Sequence, residues 1–407
     1  MIRTLRFSAA VLGLVLAAAA CNNDKLNRPF ANTPVDGLFA RYVSMGNSIT
    51  AGFQSGGIND STQQQSYPVL LARAMRSPFF VPRLTNPGCP PPYTNVFTGA
   101  RVTPTGFPTS TATSCYLRTI PSEPPPYISN TAVPGAEVED VFANRDTASN
   151  ANTLTQFILG GLTQIGMLRR AQPTFVSLWI GNNDVLGAAT SATNGGDSTK
   201  ITSIANFQAR YGAVLDSIET AAPQGGILIG VANVTAIPFF SRGSTYLGAK
   251  LANQLPVAMT VTANCAPPRG DSVLVPFPFG AALVGAAAAG QPTTLDCTEI
   301  QTVQPAELLK LVGAVTAYNT FIAQQATAHG WAYLDPNPTL DSLRNLPQPN
   351  TVVRPFPLIG QPCSANPFGT GFSCDAVHPS AATQKLIAQK LRAAINASYG
   401  TSIPAVP

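Results

Sequence analysis

From residue 151 onward the apolar positions fall into two alternating rhythms. Leu154 to Arg170 spaces them as a helix with one buried stripe requires, and Pro173 ends that run before the almost unbroken apolar stretch Phe175 to Ile180. The same reading predicts a helix over Ile204 to Thr220, an interior strand over Gly226 to Val234 and a long helix over Gln304 to His329. A short strand at Trp331 to Leu334 and a last helix over Ser380 to Ile395 complete the series. Nearer the start, Arg41 to Ser44 reads as a strand that gives way at once to the small-residue turn Gly46-Asn47-Ser48, and Pro68 to Ser77 reads as a helix. Helix and strand alternating in this way predict an α/β fold, a mostly parallel sheet covered by helices.

Two stretches break the rhythm. Thr85 to Ile128 is crowded with Pro, Gly, Ser, Thr and aromatic residues and is expected to be a long ordered loop held by a disulfide, because untethered connections of that length are rare in compact domains. Pro238 to Gln301 is expected to be an insertion, with a second independent domain as the competing arrangement. Its apolar run Val273 to Ala289 is too short, and too interrupted by Pro276, Pro278 and glycines, to read as a membrane span. The insertion is either a cap over an apolar substrate site or a packed excursion that enlarges the core.

The first twenty residues, with Arg3 and Arg6 ahead of an apolar run, read as an export signal. Leu16 to Cys21 resembles a bacterial lipobox, which implies lipidation at Cys21; ordinary cleavage near the same place is the alternative. Residues 21–38 then form the lipidated start and a polar tether, 39–400 the domain, and 401–407 a tail. The expected location is the cell envelope, as an outer-membrane lipoprotein or else as a periplasmic or secreted protein. With Cys21 set aside, six of the seven cysteines remain, an even number suited to an oxidising compartment. Fifteen pairings are possible. Joining neighbours, Cys89 with Cys115, Cys265 with Cys297 and Cys363 with Cys374, encloses modest loops and is the expected pattern.

The 407 residues, 45% apolar and 11% charged, exclude a small stapled module or a highly charged disordered chain. A formal charge of +5 is too slight to suggest a nucleic-acid partner. No H-E-x-x-H, G-x-G-x-x-G or Walker pattern occurs, so neither a metal nor a nucleotide cofactor is expected. Candidate chemistry rests instead on Ser48, at the tight strand-to-helix junction, and on Asp375 and His378, three residues apart in the segment before the last helix. These supply a nucleophile, a base and an acid to orient the base. A serine in a turn also serves as a cap, and an Asp three residues from a His also stabilises a turn. The other histidine, His329, sits beside Gly330 where a helix C-cap is expected.

Four blocks occur in one order: Gly46-Asn47-Ser48-Ile49, the segment Asn130 to Ala136 around Gly135, Gly181-Asn182-Asn183-Asp184, and Asp375-Ala376-Val377-His378. Together they resemble the SGNH or GDSL hydrolase family from Tyr42 to about Ile395. The resemblance implies a flavodoxin-like three-layer α/β/α fold and a serine ester hydrolase, an esterase or lipase acting through an acyl-enzyme. It implies Ser48 as nucleophile, His378 as base and then acid, and Asp375 as the orienting carboxylate. Ser48, Gly135 and Asn183 would form the oxyanion hole, with Asn47 and Asp184 in support. Asn47 departs from the family's usual Asp and loses its charge while keeping hydrogen-bonding capacity. The expected substrates are short or medium acyl esters or lipids. A carbohydrate O-acetyl esterase, or a non-catalytic envelope binding or structural protein on the same scaffold, are the alternatives. The aromatics Tyr42, Phe53, Phe79, Phe80, Tyr93 and Phe97 line a pocket or pack the core.

Overall fold

The structure, a computed structural model, describes residues 33–104, 110–115, 125–142, 153–344, 346 and 349–407. The expected signal segment, Cys21 and residues 22–32 of the tether lie outside these residues. Four strands, β1 (Tyr42–Gly46), β2 (Phe175–Trp179), β3 (Gly225–Ile229) and β4 (Ala332–Leu334), form a parallel sheet in that spatial order. Tyr42 pairs with Phe175, Phe175 with Gly225, and Ile227 with Ala332. On the outer side of β1, Asn130 forms a parallel bridge with Ser44. Counting that segment second in sequence gives the order 2-1-3-4-5 of a doubly wound sheet, with its switch point between β1 and β2.

Every residue of β1, β2 and β3 is buried, which explains their continuous apolar character. Successive side chains alternate between two cores. Val43, Met45, Val176, Leu178 and Leu228 face the helices Gln164–Ala171, Ile204–Glu219 and Pro305–Ala328. Tyr42, Phe175, Trp179, Ile227 and Ile229 face the helices Tyr67–Met75 and Ala381–Tyr399. The result is the three-layer α/β/α architecture.

Several predicted elements change in detail. The helix predicted from Leu154 to Arg170 divides into Thr153–Leu159 and Gln164–Ala171, because Gly160 and Gly161 adopt φ of +62° and +89° and Thr163 caps the second helix. The strand predicted from Gly226 to Val234 stops at Ile229. Beyond it, the peptide of Val231 bonds to side chains, its N–H donating to Asn319 Oδ1 at 2.6 Å and its carbonyl accepting from Asn319 Nδ2 at 2.9 Å and Asn337 Nδ2 at 3.0 Å. The chain from 231 to 237 therefore leaves the sheet. The long loop holds a small hairpin of Tyr93–Asn95 with Ala100–Arg101 and is tied by the Cys89–Cys115 disulfide. Cys265–Cys297 and Cys363–Cys374 complete the neighbouring pairs.

Within the insertion, Phe240–Arg242 pairs antiparallel with Leu274–Pro276, and Met259–Val261 pairs parallel with Thr293–Leu295. Tyr246, Leu255, Met259, Val273 and Leu295 surround the Cys265–Cys297 disulfide as a local core, while Phe240, Leu274 and Val303 at its base belong to the main one. The apolar run becomes the strand Leu274–Pro276 and the helix Phe277–Ala288. Residues 401–407 pack against the last helix: Ile403 and Val406 are buried, and Arg392 Nε donates to the Ile403 carbonyl at 2.7 Å. Among the described residues no helix is long and apolar enough to cross a membrane.

Candidate active site

β1 ends at Gly46, and the chain turns at once into the short helix Ser48–Ala51. A side chain is excluded at Gly46: its φ is +155°, and a Cβ would come within 2.4 Å of the Trp179 carbonyl oxygen on β2. Gln164 holds the Gly46 peptide from both sides, accepting from its N–H at 3.0 Å and donating to its carbonyl at 2.9 Å. Asn47 caps the helix, its Oδ1 accepting from Ile49 N–H at 3.1 Å, and its Nδ2 donates to Asn182 Oδ1 at 3.3 Å. Ser48 becomes the first helical residue, so its backbone N–H has no intrahelical acceptor. Its side chain is recessed, only 8% of the residue being exposed, and lines a cavity with Ile49, Leu186, Ala232, Val234, Ile237 and Val377.

At the far end of the chain, Ser373 to His378 forms a tight loop closed by Ser373 N–H donating to the His378 carbonyl at 2.8 Å. His378 Nε2 lies 2.8 Å from Ser48 Oγ, and Nδ1 lies 2.8 Å from Asp375 Oδ2. A carboxylate facing Nδ1 places the proton on that nitrogen and leaves Nε2 to accept from the serine hydroxyl. Four further donors reach Asp375: Gly56 N–H at 2.7 Å, Val377 N–H and His378 N–H at 2.9 Å, and Ser373 Oγ at 3.0 Å. Burial raises this carboxyl, yet His378 and the surrounding N–H donors more than offset it and hold the group down at about 2. The Phe53 ring lies 4.9 Å from the imidazole.

The remaining expected residues gather between the glycine turn and the helix that follows β2. Pro134 and Gly135 occupy the centre of a turn in which Ala136 N–H donates to the Val133 carbonyl at 3.2 Å, and Gly135 takes φ of +83°, the conformation that favours glycine there. Asn183 begins the helix Asn183–Ala189 after β2, and its Nδ2 donates to the Ala136 carbonyl at 2.8 Å. That bond fixes Asn183 to the glycine turn, and Asn183 also lines the cavity beside Ser48. Asp184 adds a second tie, its Oδ2 accepting from Val138 N–H at 3.0 Å. Its Oδ1 is buried without a hydrogen-bond partner. Burial pushes the Asp184 carboxyl up to about 6, which the Val138 N–H, the nearby Thr202 hydroxyl and Arg210 offset only in part. Half-buried Glu137 is pushed up to about 7, first by burial and then by Asp184 and Asp140.

This order of blocks on a doubly wound sheet decides the family, since residues 42–391 match the profile described as GDSL-like Lipase/Acylhydrolase. The chain belongs to that family. It is accordingly an SGNH/GDSL-type hydrolase. Among curated proteins none matches the sequence. Among solved structures, a catalytic mutant of Axe2, an acetylxylan esterase from Geobacillus stearothermophilus, is 12% identical, with a TM-score of 0.37 over 87% of this chain and 93% of that one. The extracellular lipase of Streptomyces rimosus is 16% identical, with a TM-score of 0.38 over 87% and 98%. LAE5, an alpha/beta hydrolase enzyme from the metagenome of Lake Arreo in Spain, is 12% identical, with a TM-score of 0.40 over 89% and 98%.

For a GDSL-family chain, the supporting residues that sequence reasoning missed are Gln164, Asn182, Gly56 and Ser373. Asn182 lies within the Gly181–Asp184 block, but nothing in the local pattern marks Gln164, which reaches the Gly46 peptide from 118 positions away. His329 is the C-cap of its helix and pairs with Glu219 at 2.5 Å, away from Ser48 and at the opposite edge of the sheet. Of the six aromatics singled out, Phe53 reaches the imidazole. Tyr42 stacks on Phe79 in the core, Phe80 packs on Tyr127, Tyr93 lies under the Arg101 guanidinium and Phe97 joins a buried phenylalanine cluster.

Proposed function

We propose that the protein cleaves carboxylic esters of short or medium acyl groups through an acyl-enzyme on Ser48. The observation that carries this reading is the unbroken chain of contacts from Asp375 through His378 to Ser48, 2.8 Å at each link, opening on an apolar cavity. His378 Nε2 takes the hydroxyl proton as Ser48 Oγ attacks the ester carbonyl, and Asp375 steadies the imidazolium. The backbone N–H groups of Ser48 and Gly135 and the side-chain amide of Asn183 face the developing oxyanion. Collapse of the tetrahedral intermediate expels the alcohol, which takes the proton from His378. Water, deprotonated by the same imidazole, then attacks the acyl-serine and releases the acid. Asn47 and Asp184 support the site by fixing the Ser48 and Asn183 turns. The apolar side chains from Ile49 to Val377 favour a hydrocarbon acyl chain of limited length.

A second reading, removal of acetyl groups from a carbohydrate, draws support from one further feature. Behind the 231–237 segment runs a groove lined by Asn233, Asn319, Tyr333, Asp335 and Asn337, residue types suited to hydroxyl groups. Three disulfides support an exported protein in an oxidising compartment, with attachment through lipidated Cys21 as the accompanying proposal. The test is a chain starting after Cys21, compared with Ser48→Ala on aryl esters of graded acyl length, phospholipids and acetylated sugars. Hydrolysis that falls by about 10⁶-fold in the variant is expected. Equal rates for the two proteins would defeat the mechanism, and turnover of acetylated sugars alone would establish the second reading.

A further inference from the structure

The loop bearing Asp375 and His378 is gripped from two sides. On one side the turn at Ser55 and Gly56 supplies Gly56 N–H to Asp375, accepts Cys374 N–H on Ser55 Oγ at 3.1 Å, and donates Ser55 N–H to Ser373 Oγ at 2.8 Å. On the other side stand residues of the insertion and its leading edge. Phe239 N–H donates to the Ala376 carbonyl at 3.0 Å, and Phe277 N–H donates to the Phe239 carbonyl at 2.8 Å. Ala376 is fully buried in a cluster with Phe277 and Phe368, against which Phe239 and Phe97 also pack. The Phe277 ring lies 5.1 Å from Phe239 and 4.9 Å from Phe368. Phe368 itself belongs to the loop closed by Cys363–Cys374.

Ala376 has φ of +63°, a conformation that an alanine holds only where its surroundings impose it. It lies between the acid and the imidazole in sequence, so relaxation of its backbone would move both. The cavity beside Ser48 takes its lining from residues up to Ile237 and from Val377 and His378, with none, among the described residues, from 238–301. The insertion meets the site instead through the loop that carries Asp375 and His378.

We infer that the insertion is a positioning device, in which Phe277 and the backbone N–H of Phe239 clamp Ala376 and so set the His378 imidazole against Ser48. Phe277 is a positioning residue, acting on the imidazole through Ala376. The inference rests on the serine-hydrolase reading and extends it to a part of the chain outside the four sequence blocks.

The test compares Phe277→Ala, Phe277→Leu and Leu255→Ala in the full exported chain. Leu255 sits in the insertion's own core, away from the clamp, and controls for general loss of stability. Phe277→Ala is expected to lower kcat on the order of 10- to 100-fold with KM within about twofold, the signature of misplaced reacting groups. Phe277→Leu, which keeps an apolar mass against Ala376, is expected to restore most of the loss. The proton NMR signal of the His378 Nδ1–H bonded to Asp375 is expected to broaden in Phe277→Ala and to stay sharp in Leu255→Ala. Equal kcat losses in Phe277→Ala and Leu255→Ala, or an unchanged signal and kcat in Phe277→Ala, would overturn the clamp. If Phe277→Ala does not yield folded protein, Phe277→Val carries the same comparison. The imidazole signal needs no turnover, so a wild type that neither hydrolyses esters nor labels at Ser48 with a fluorophosphonate would refute the hydrolase reading while the clamp is still decided by NMR.

Discussion

Asp375 and Asp184 are both buried acids, one beside the proposed base and the other beside the proposed oxyanion donor, yet the protein drives them in opposite directions. Asp375 receives five donors, among them the imidazole, and is held down at about 2. Asp184 receives Val138 N–H on one oxygen, leaves the other without a partner, and is pushed up to about 6. Both sit out of solvent, so burial does not explain the difference. The number and charge of the groups facing each carboxyl decide it. The loop at 375 is built to keep a negative charge beside His378, whereas the turn at 184 uses its carboxyl chiefly as a strut between Asn183 and the glycine turn.

Substitutions should separate these two roles, beginning with the largest effect. Asp375→Asn is expected to lower kcat by on the order of 10⁴-fold, since an amide no longer enforces the right tautomer or supports the imidazolium, whereas Asp184→Asn should cost less than about tenfold in steady-state ester hydrolysis. Similar losses in both would erase the distinction. Asn183→Ala, which removes the proposed oxyanion donor together with its bond to the Ala136 carbonyl, is expected to lower kcat by about 10²- to 10³-fold and to cost about 1 kcal/mol of stability.

Stability against pH tests the same contrast. For Asp375 the folded value lies below the unfolded one, so its contribution, on the order of 2–3 kcal/mol, is present above about pH 4 and lost as pH falls toward 2. For Asp184 the folded value lies above the unfolded one, so a contribution of similar order is present below about pH 4 and lost as pH rises through 6. Urea unfolding from pH 2 to 8 should show the acid-side slope reduced in Asp375→Asn and the slope between pH 4 and 7 reduced in Asp184→Asn; the reverse assignment would break the comparison. The smallest expected effect is that of Asn47→Asp, which keeps the helix cap but loses the donor to Asn182, about 1 kcal/mol in the same unfolding assay.

Much of this was legible in the sequence because it is local. The apolar runs at Phe175 and the strand before Gly46 announce interior strands, and the spacing of Asp375 and His378 places both on one loop. What escaped is mostly a matter of contacts across long separations. Gln164 looks like an ordinary helix-starting polar residue, and only the fold brings its amide to the Gly46 peptide. The apolar run from Gly226 to Val234 gives no sign that Asn319 and Asn337 will pull Val231 out of the sheet. The apolar spacing continues across Gly160 and Gly161, so the break they make between two helices has no mark in that periodicity. The insertion's composition fitted a cap as well as a packed excursion, and the contact of Phe277 with Ala376 lies beyond any periodicity.

The departure of residues 231–237 from the sheet has a corollary. Ala232 and Val234 turn toward the hollow beside Ser48 while Asn233, between them, turns toward the groove behind. A single-residue insertion or deletion there would exchange the two sets, putting an amide into the hollow beside Ser48 and an apolar side chain into the groove. Side-chain replacement at constant segment length is therefore the change that alters one lining while leaving the other in place.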